Sequence, residues 1–129
     1  MKYQLTTDPE TGLCILKISG HVAPGDLIQM LPKLWSTDDY ARLGYVVWDF
    51  THSETNYYFE DIFKLFEFVK EKKQLRGPHT LAVVAPHDNE FGMSRMYAML
   101  SECEVPKINV FRELSPALAW LESCLTPEE

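Results

Sequence analysis

The sequence has few cysteines, and their spacing offers neither a disulfide framework nor a metal site. Its three cysteines lie at positions 14, 103 and 124, and no two of them form a CxxC pair. No histidine lies at a metal-ligand spacing from them. Small disulfide-rich domains and structural zinc sites depend on such patterns. We therefore expect a fold held by its hydrophobic core, with no metal and no cofactor.

Positive charge is also scarce. Twelve Lys and Arg residues stand against nineteen Asp and Glu, which gives a formal net charge of −7. Such a chain lacks the basic stripe that neutralises nucleic-acid phosphates, and its charge disfavours electrostatic binding to an anionic membrane. The densest basic cluster is interrupted by Glu71 and is typical of a helix C-terminus; it consists of Lys70, Lys72, Lys73 and Arg76.

Long apolar runs and internal repeats are absent. No run approaches the ~20 residues of a membrane-spanning helix, and the opening MKYQLTTDPETG lacks the apolar region of a signal peptide. A chain of 129 residues, 46% of them hydrophobic, suits one domain with one core. We expect a cytoplasmic protein with a single domain over residues 1–125 and a flexible tail at 126–129.

Strand and helix patterns alternate along the chain. KYQLTT and LCILKISG are joined by turn residues, which predicts an antiparallel hairpin. A helix from about Pro24 contains Pro32, which is expected to kink or split it. The later elements are the strand GYVVWDF, the helix FEDIFKLFEFVKEKK, the strand HTLAVVA, the helix DNEFGMSRMYAMLSEC, the strand KINVF and the helix SPALAWLESCL, with Ser115 as its N-cap.

The resulting order is β-β-α-β-α-β-α-β-α. It predicts a single α/β domain with a mixed, mostly parallel sheet of about five strands and four helices. Three soft motifs carry a resemblance: VVWDF, LAVVA followed by FGMSRMYAML, and INVFRELSPALAWL. Together they resemble the SpoIIAA-like group, relatives of the STAS domains of anti-sigma-factor antagonists, some of which look like the CRAL-TRIO lipid-transfer fold. The resemblance covers nearly the whole chain.

In phosphorylatable STAS proteins, as the resemblance implies, a strand ending in Asp-x-Ser/Thr precedes an Asp-Ser-Ser-Gly turn whose Ser is phosphorylated. Asp49 and Thr51 match the first part, but Tyr57, Tyr58 and Phe59 replace Ser-Ser-Gly. The surrounding carboxylates would repel a phosphate on Ser53 or Thr55, and the segment holds no Lys or Arg. We therefore predict that it is not a phosphorylation site.

Two polar clusters follow neighbouring predicted strands. Ligands of open α/β sheets bind beyond the carboxyl ends of strands, so both clusters should share one rim. An alternative interpretation is that the short oxygen-bearing side chains satisfy loop backbone groups and that His52 is solvated. The candidate site residues are Asp49, Thr51, His52, Ser53, Tyr57 and Tyr58 in the first cluster and His87, Asp88, Phe91 and Arg95 in the second.

Two aromatic positions on predicted helices are separate candidates. If Asp88 caps its helix, Phe91 and Arg95 lie one turn apart, so that the guanidinium covers the ring, reaches an anion or is solvated. Phe68 lies opposite the predicted Phe59, Ile62, Phe63 and Phe66 face, and we expect it to be exposed. With Leu65 and Tyr58 it would form a patch for a protein partner or a second copy.

Two functions remain open at this point. The leading hypothesis is a non-enzymatic, STAS-like regulatory or protein-interaction module that forms a homodimer, because no motif pairs a nucleophile with an acid or base. The alternative is a carrier or sensor of a small apolar or lipid-like ligand, peripheral at membranes. Its ligand would lie between the helix with Pro32 and the helix beginning near Tyr58.

Overall fold

A computed structural model describes residues 1–36, 44–72, 80–102 and 107–125. Its elements confirm the predicted order. They are β1 (Lys2–Thr7), β2 (Cys14–Val22), α1 (Asp26–Trp35), β3 (Tyr45–Thr55), α2 (Phe59–Glu71), β4 (Thr80–Val84), α3 (Asp88–Leu100), β5 (Lys107–Phe111) and α4 (Leu114–Leu125). The expected tail at 126–129, Cys103, Lys73 and Arg76 lie outside the described residues.

The five strands form one mixed sheet in the order β1-β2-β3-β4-β5. β1 pairs antiparallel with β2, as predicted, and the pairs β2–β3, β3–β4 and β4–β5 are parallel. The hairpin turn is closed by Asp8, whose carboxylate accepts hydrogen bonds from the Thr11 N–H at 2.8 Å and hydroxyl at 2.6 Å. The parallel strands therefore end at one common edge, called here the carboxyl edge.

Helices cover both faces of the sheet. Successive side chains of a strand point to opposite faces, and β3 shows this directly, with Val46 and Trp48 in one core and Val47 in the other. The first core lies against α1, α2 and α3, and the second against α4. Since β3 is buried from both sides, its near-continuous apolar run is accounted for.

Pro32 was expected to kink or split its helix, and the helix α1 is not split. The helix runs unbroken from Asp26 to Trp35, and four side chains around the proline are buried: Met30, Leu31, Leu34 and Trp35. A proline removes one backbone donor. Because the helix ends three residues later, only one turn follows that lost bond, and burial holds the turn in place.

Two helix starts differ from the predictions. α4 begins at Leu114, so Ser115 is not its N-cap. The N-cap of α3 is His87, not Asp88. At a helix N-terminus, backbone geometry rather than residue type sets the boundary.

Candidate functional site

A polar cleft of about 870 Å³ lies at the carboxyl edge, where β3 ends and α3 begins. It is lined by Gly20, His21, the residues from Thr51 to Tyr58, His87, Asn89 and Glu90. The cleft brings together Thr51, His52, Ser53, Tyr57 and Tyr58 of the first predicted cluster with His87 of the second. The other five candidates, Asp49, Phe68, Asp88, Phe91 and Arg95, do not line it.

Residues 51–55 form the end of β3 and not the loop that the sequence suggested. After a register irregularity opposite Lys17 to Ser19, they pair with β2, from Ser19 opposite His52 to Val22 opposite Thr55. A bulge of this kind inserts an extra residue and changes which side chains face the core. It places Ser53 and Thr55 inside and His52 and Glu54 outside.

The hydroxyl and carboxyl groups of this strand end bond to neighbouring residues. Asp49 is buried and accepts hydrogen bonds from the Thr51 N–H at 2.9 Å and from the Thr51 hydroxyl. Ser53 is buried and donates its hydroxyl to the Phe50 carbonyl at 2.9 Å. A buried, engaged hydroxyl is a poor phosphoacceptor, which supports the prediction that Ser53 is not phosphorylated.

Thr55 and Glu90 join the end of β3 to α3. The Glu90 Oε1 accepts hydrogen bonds from both the backbone N–H and the hydroxyl of Thr55, each at 2.9 Å. The Asn89 side-chain amide donates to the Thr55 carbonyl at 3.0 Å. These bonds satisfy the backbone of the last β3 residue, where the sheet ladder ends. Glu90 is not identifiable as a partner of Thr55 from the sequence, because no local pattern relates residues 35 positions apart.

Glu90 is ionised within this link. Its side chain is 7% exposed. Burial opposes ionisation, but the hydrogen bonds from Thr55, a bond from the Glu90 backbone N–H and the nearby His87 outweigh it and lower the pKa of Glu90. A carboxylate that accepts charge-assisted hydrogen bonds is stabilised in its charged form. The ionised carboxylate therefore holds the end of β3 through its hydrogen bonds to Thr55.

Tyr57 closes the cleft on its inner side. It is buried, and its hydroxyl donates to the Ala23 carbonyl at 3.0 Å. Burial raises the pKa of Tyr57 to about 12, with the nearby carboxylates Asp26 and Asp61 adding to the shift. The phenol thus remains protonated and ties the end of β3 to the loop before α1.

An apolar cavity of about 110 Å³ lies next to the cleft, within the first core. Thr55, Tyr57 and Glu90 line both the cavity and the cleft. The other lining residues come mainly from the sheet and from α1, α2 and α3, among them Leu31, Trp35, Val46, Trp48, Leu65, Val83, Met93 and Tyr97. The cavity extends beyond the region between α1 and the start of α2 where the alternative ligand was expected, because Lys70, Ser101 and Ile108 also line it.

A third residue, Arg112, lies beside Phe91 and Arg95 and was not among the candidates predicted from the sequence. The Arg95 guanidinium lies 5.9 Å from the Phe91 ring centre, and Arg112, from the loop after β5, lies 4.1 Å from it. Arg112 also bonds to the Asp88 carboxylate at 2.7 Å and to the Pro86 carbonyl at 3.1 Å. Thus Asp88 anchors Arg112 and does not cap α3.

The prediction of an exposed Phe68 is wrong. Phe68 is half-buried and stacks on Trp35, with ring centres 6.1 Å apart and planes 11° from parallel. Its neighbour Leu65 is buried. The buried face of α2 is rotated from the predicted one, because α1 packs against the Leu65 and Phe68 side. A sequence window containing aromatics on several sides cannot determine this rotation.

The exposed aromatics of α2 lie at its start. Tyr58 is 75% exposed, Phe59 54% and Phe63 42%, and the rings of Phe59 and Phe63 stack 6.2 Å apart. These three residues are called here the aromatic ridge. Tyr58 also lines the polar cleft, so the ridge and the cleft form one continuous surface.

Two further findings bear on the kind of site. In the described ranges, no group of three or more His, Cys, Asp or Glu side chains is placed to hold a metal ion. No helix among the same residues has the length and apolar character needed to cross a membrane.

No family model and no curated protein matches the chain. Similar solved structures include the following two. An uncharacterised DUF3478-family protein with a SpoIIAA-like fold from Shewanella loihica PV-4 has a TM-score of 0.58 and 15% identity, over 93% of this chain and 92% of that one. The unphosphorylated anti-sigma factor antagonist SpoIIAA has a TM-score of 0.48 and 10% identity, over 95% and 98%.

The predicted SpoIIAA-like architecture is confirmed by the first of these structures, which covers nearly the whole of both chains. The resemblance to CRAL-TRIO proteins stays a prediction. The chain has the SpoIIAA-like α/β fold.

Proposed function

We propose that this protein is a non-enzymatic regulatory module of the STAS type, which acts by binding a protein partner at its carboxyl edge. The observation that carries the proposal is the aromatic ridge. Aromatic side chains are enriched in the cores of protein interfaces, and here two stacked phenylalanines and a tyrosine stand in solvent. The homodimer expected from the sequence is one form of this proposal, with a second copy as the partner.

The groups beside the ridge favour binding over catalysis. Glu90 holds Thr55, and the Tyr57 phenol donates to the Ala23 carbonyl. The burial that raises the pKa of Tyr57 to about 12 opposes its use as a base near neutral pH. Both groups fix the residues that lead from β3 into α2. A fixed start of α2 presents the ridge in one orientation and so reduces the entropy lost on binding.

Site-specific cross-linking tests this function. A photoreactive benzophenone amino acid at position 63, in protein expressed at native level in its source cells, is expected to form discrete protein adducts on irradiation. The same group at position 125, also an exposed apolar position, is the control. An adduct of two copies identifies the homodimer, and any other mass a different partner. Equal adducts from both positions, or none from position 63, contradict the proposal.

The apolar cavity favours a second candidate function, the binding of a small apolar molecule. Its volume of about 110 Å³ is far below the roughly 300 Å³ at which drug-sized pockets begin. It is closer to the ~150 Å³ of an engineered cavity that binds benzene. A ligand held there would therefore be smaller than a lipid, unless the helices around the cavity move apart.

Benzene and xenon are suitable probes of this cavity. We expect them to shift the NMR signals of Val46 and Met93, which line it. Val83→Ile narrows the cavity and should weaken binding several-fold. Val84→Ile is the matched control, because Val84 is also buried but belongs to the core under α4. Signals that do not respond to either probe, or that respond equally in both variants, contradict a ligand-binding cavity.

A further inference from the structure

Negative charge is concentrated around the aromatic ridge. Three segments meet at the carboxyl edge, residues 20–31, 51–63 and 86–94, and together they contain six carboxylates and no Lys or Arg. The carboxylates are Asp26, Glu54, Glu60, Asp61, Asp88 and Glu90. Arg112 reaches this edge from a fourth loop and pairs with Asp88 at 2.7 Å. Lys64 and Arg95 directly follow two of these segments in sequence, so the edge has an excess of carboxylates but also includes basic side chains.

Basic residues cluster at the other end of the molecule. Lys70 lies in the last turn of α2 and Lys72 is its C-cap, while Lys33 lies in the last turn of α1 and Lys107 begins β5. Lys2 lies nearer the carboxyl edge, opposite Ser19, but on the edge strand β1, which is two strands from β3. This end also carries the carboxylates Asp8, Glu10, Glu71 and Glu102, so its charges are mixed, whereas carboxylates predominate at the carboxyl edge.

Several carboxylates at the acidic end are already engaged. Asp26 accepts the Ala23 N–H at 2.7 Å, and Asp61 accepts the Tyr58 N–H at 2.8 Å. Glu54 and Glu60, in contrast, are exposed side chains that precede and follow the ridge residue Tyr58 in sequence. They place negative charge in solvent near the ridge, Glu54 at the end of β3 and Glu60 next to Phe59 in the first turn of α2.

We propose that the partner docks on the aromatic ridge through a basic amphipathic segment, with apolar side chains on Phe59 and Phe63 and lysines or arginines toward Glu54 and Glu60. This inference rests on the proposed function and names the chemistry of its partner. An acidic segment would meet like charge at Glu54 and Glu60, whereas a basic one gains attraction and faster encounter. An arginine can also lie over the exposed Tyr58 ring.

The carboxylates at this edge also disfavour other occupants. An anionic membrane or a nucleic acid would bring more negative charge to an edge that already carries carboxylates. A second copy offering its own ridge would bring Glu54 and Glu60 against their equivalents. The basic segment is the occupant that satisfies both the apolar and the charged parts of this surface.

Defined peptides test the inference in the full-length protein. The probes are a helical amphipathic peptide of leucine and lysine and a counterpart with glutamate in place of every lysine, titrated by calorimetry at low and high salt. We expect the lysine peptide to bind, with affinity about tenfold lower at high salt, and the glutamate peptide not to bind. NMR shifts should locate the lysine peptide on the ridge.

Variants separate the apolar from the charged contribution. Phe63→Ala should weaken the lysine peptide about tenfold, and the double change Glu54→Gln with Glu60→Gln about fivefold. The matched controls are Leu125→Ala, another exposed apolar side chain, and Glu10→Gln with Glu71→Gln, exposed carboxylates at the opposite edge. The control variants should bind as the unmodified protein does.

Four outcomes overturn this inference. They are failure of the lysine peptide to bind, equal binding of the glutamate peptide, binding indifferent to Phe63→Ala, and ridge-dependent binding of phosphatidylcholine–phosphatidylglycerol vesicles in place of the peptide. If cross-linking from position 63 still captures a protein in such a case, the proposed function stands and only the partner's chemistry is wrong. If cross-linking from position 63 also fails, both the proposed function and this inference are contradicted.

Discussion

Replacing Leu121 by alanine is expected to lower the free energy of unfolding by about 2–5 kcal/mol, the usual range for a buried leucine. Leu121 is 0% exposed and lies in the core between the sheet and α4. In the described part of the chain, α4 is the helix that covers this face, so no second helix is placed there to fill the lost volume. The melting temperature should fall by roughly 10 °C.

Leu125→Ala is the matched control, because it removes the same atoms one turn further along the same helix. Leu125 is 44% exposed, so its loss should cost less than about 1 kcal/mol. Urea denaturation followed by circular dichroism measures both variants. Equal losses at the two positions would mean that α4 does not pack on the sheet through Leu121.

Replacing Glu90 by alanine is expected to cost about 1–3 kcal/mol, because it leaves the buried Thr55 N–H and hydroxyl without their acceptor. Glu90→Gln keeps a side-chain oxygen and should cost less. A double-mutant cycle with Thr55→Val isolates the link, since removing both partners should cost less than the sum of the single changes. Strict additivity would contradict a direct interaction between Thr55 and Glu90.

The same carboxylate makes stability depend on pH. The pKa of Glu90 is lower in the folded protein than the ordinary value of 4.5, so its contribution is present above that value. The contribution is lost as the pH falls through the folded pKa. The stability difference between the unmodified protein and Glu90→Gln should therefore be full at neutral pH and shrink in acid. A stability difference that stays constant from neutral to acidic pH would contradict this.

Much of the candidate site was predictable because chain order places strand ends together. Parallel strands end at one edge, so His52 and His87 were expected to share a rim, and both line the cleft. The contacts across that edge were not predictable. Arg112 lies 21 positions from Phe91, and no spacing rule relates a helix to the loop after the next strand.

Hydrophobic periodicity by itself determined the number, order and type of the elements, because periods of 2 and 3.6 residues are properties of single segments. The tertiary structure decided where β3 ends and which side of α2 is buried. Residues 51–55 are polar, which is typical of a loop, but β2 supplies backbone partners that extend the strand through them. Trp35 of α1 covers Phe68 and thereby leaves Phe59 and Phe63 in solvent. Both outcomes depend on partners distant in sequence, which pair or pack only after the chain has folded.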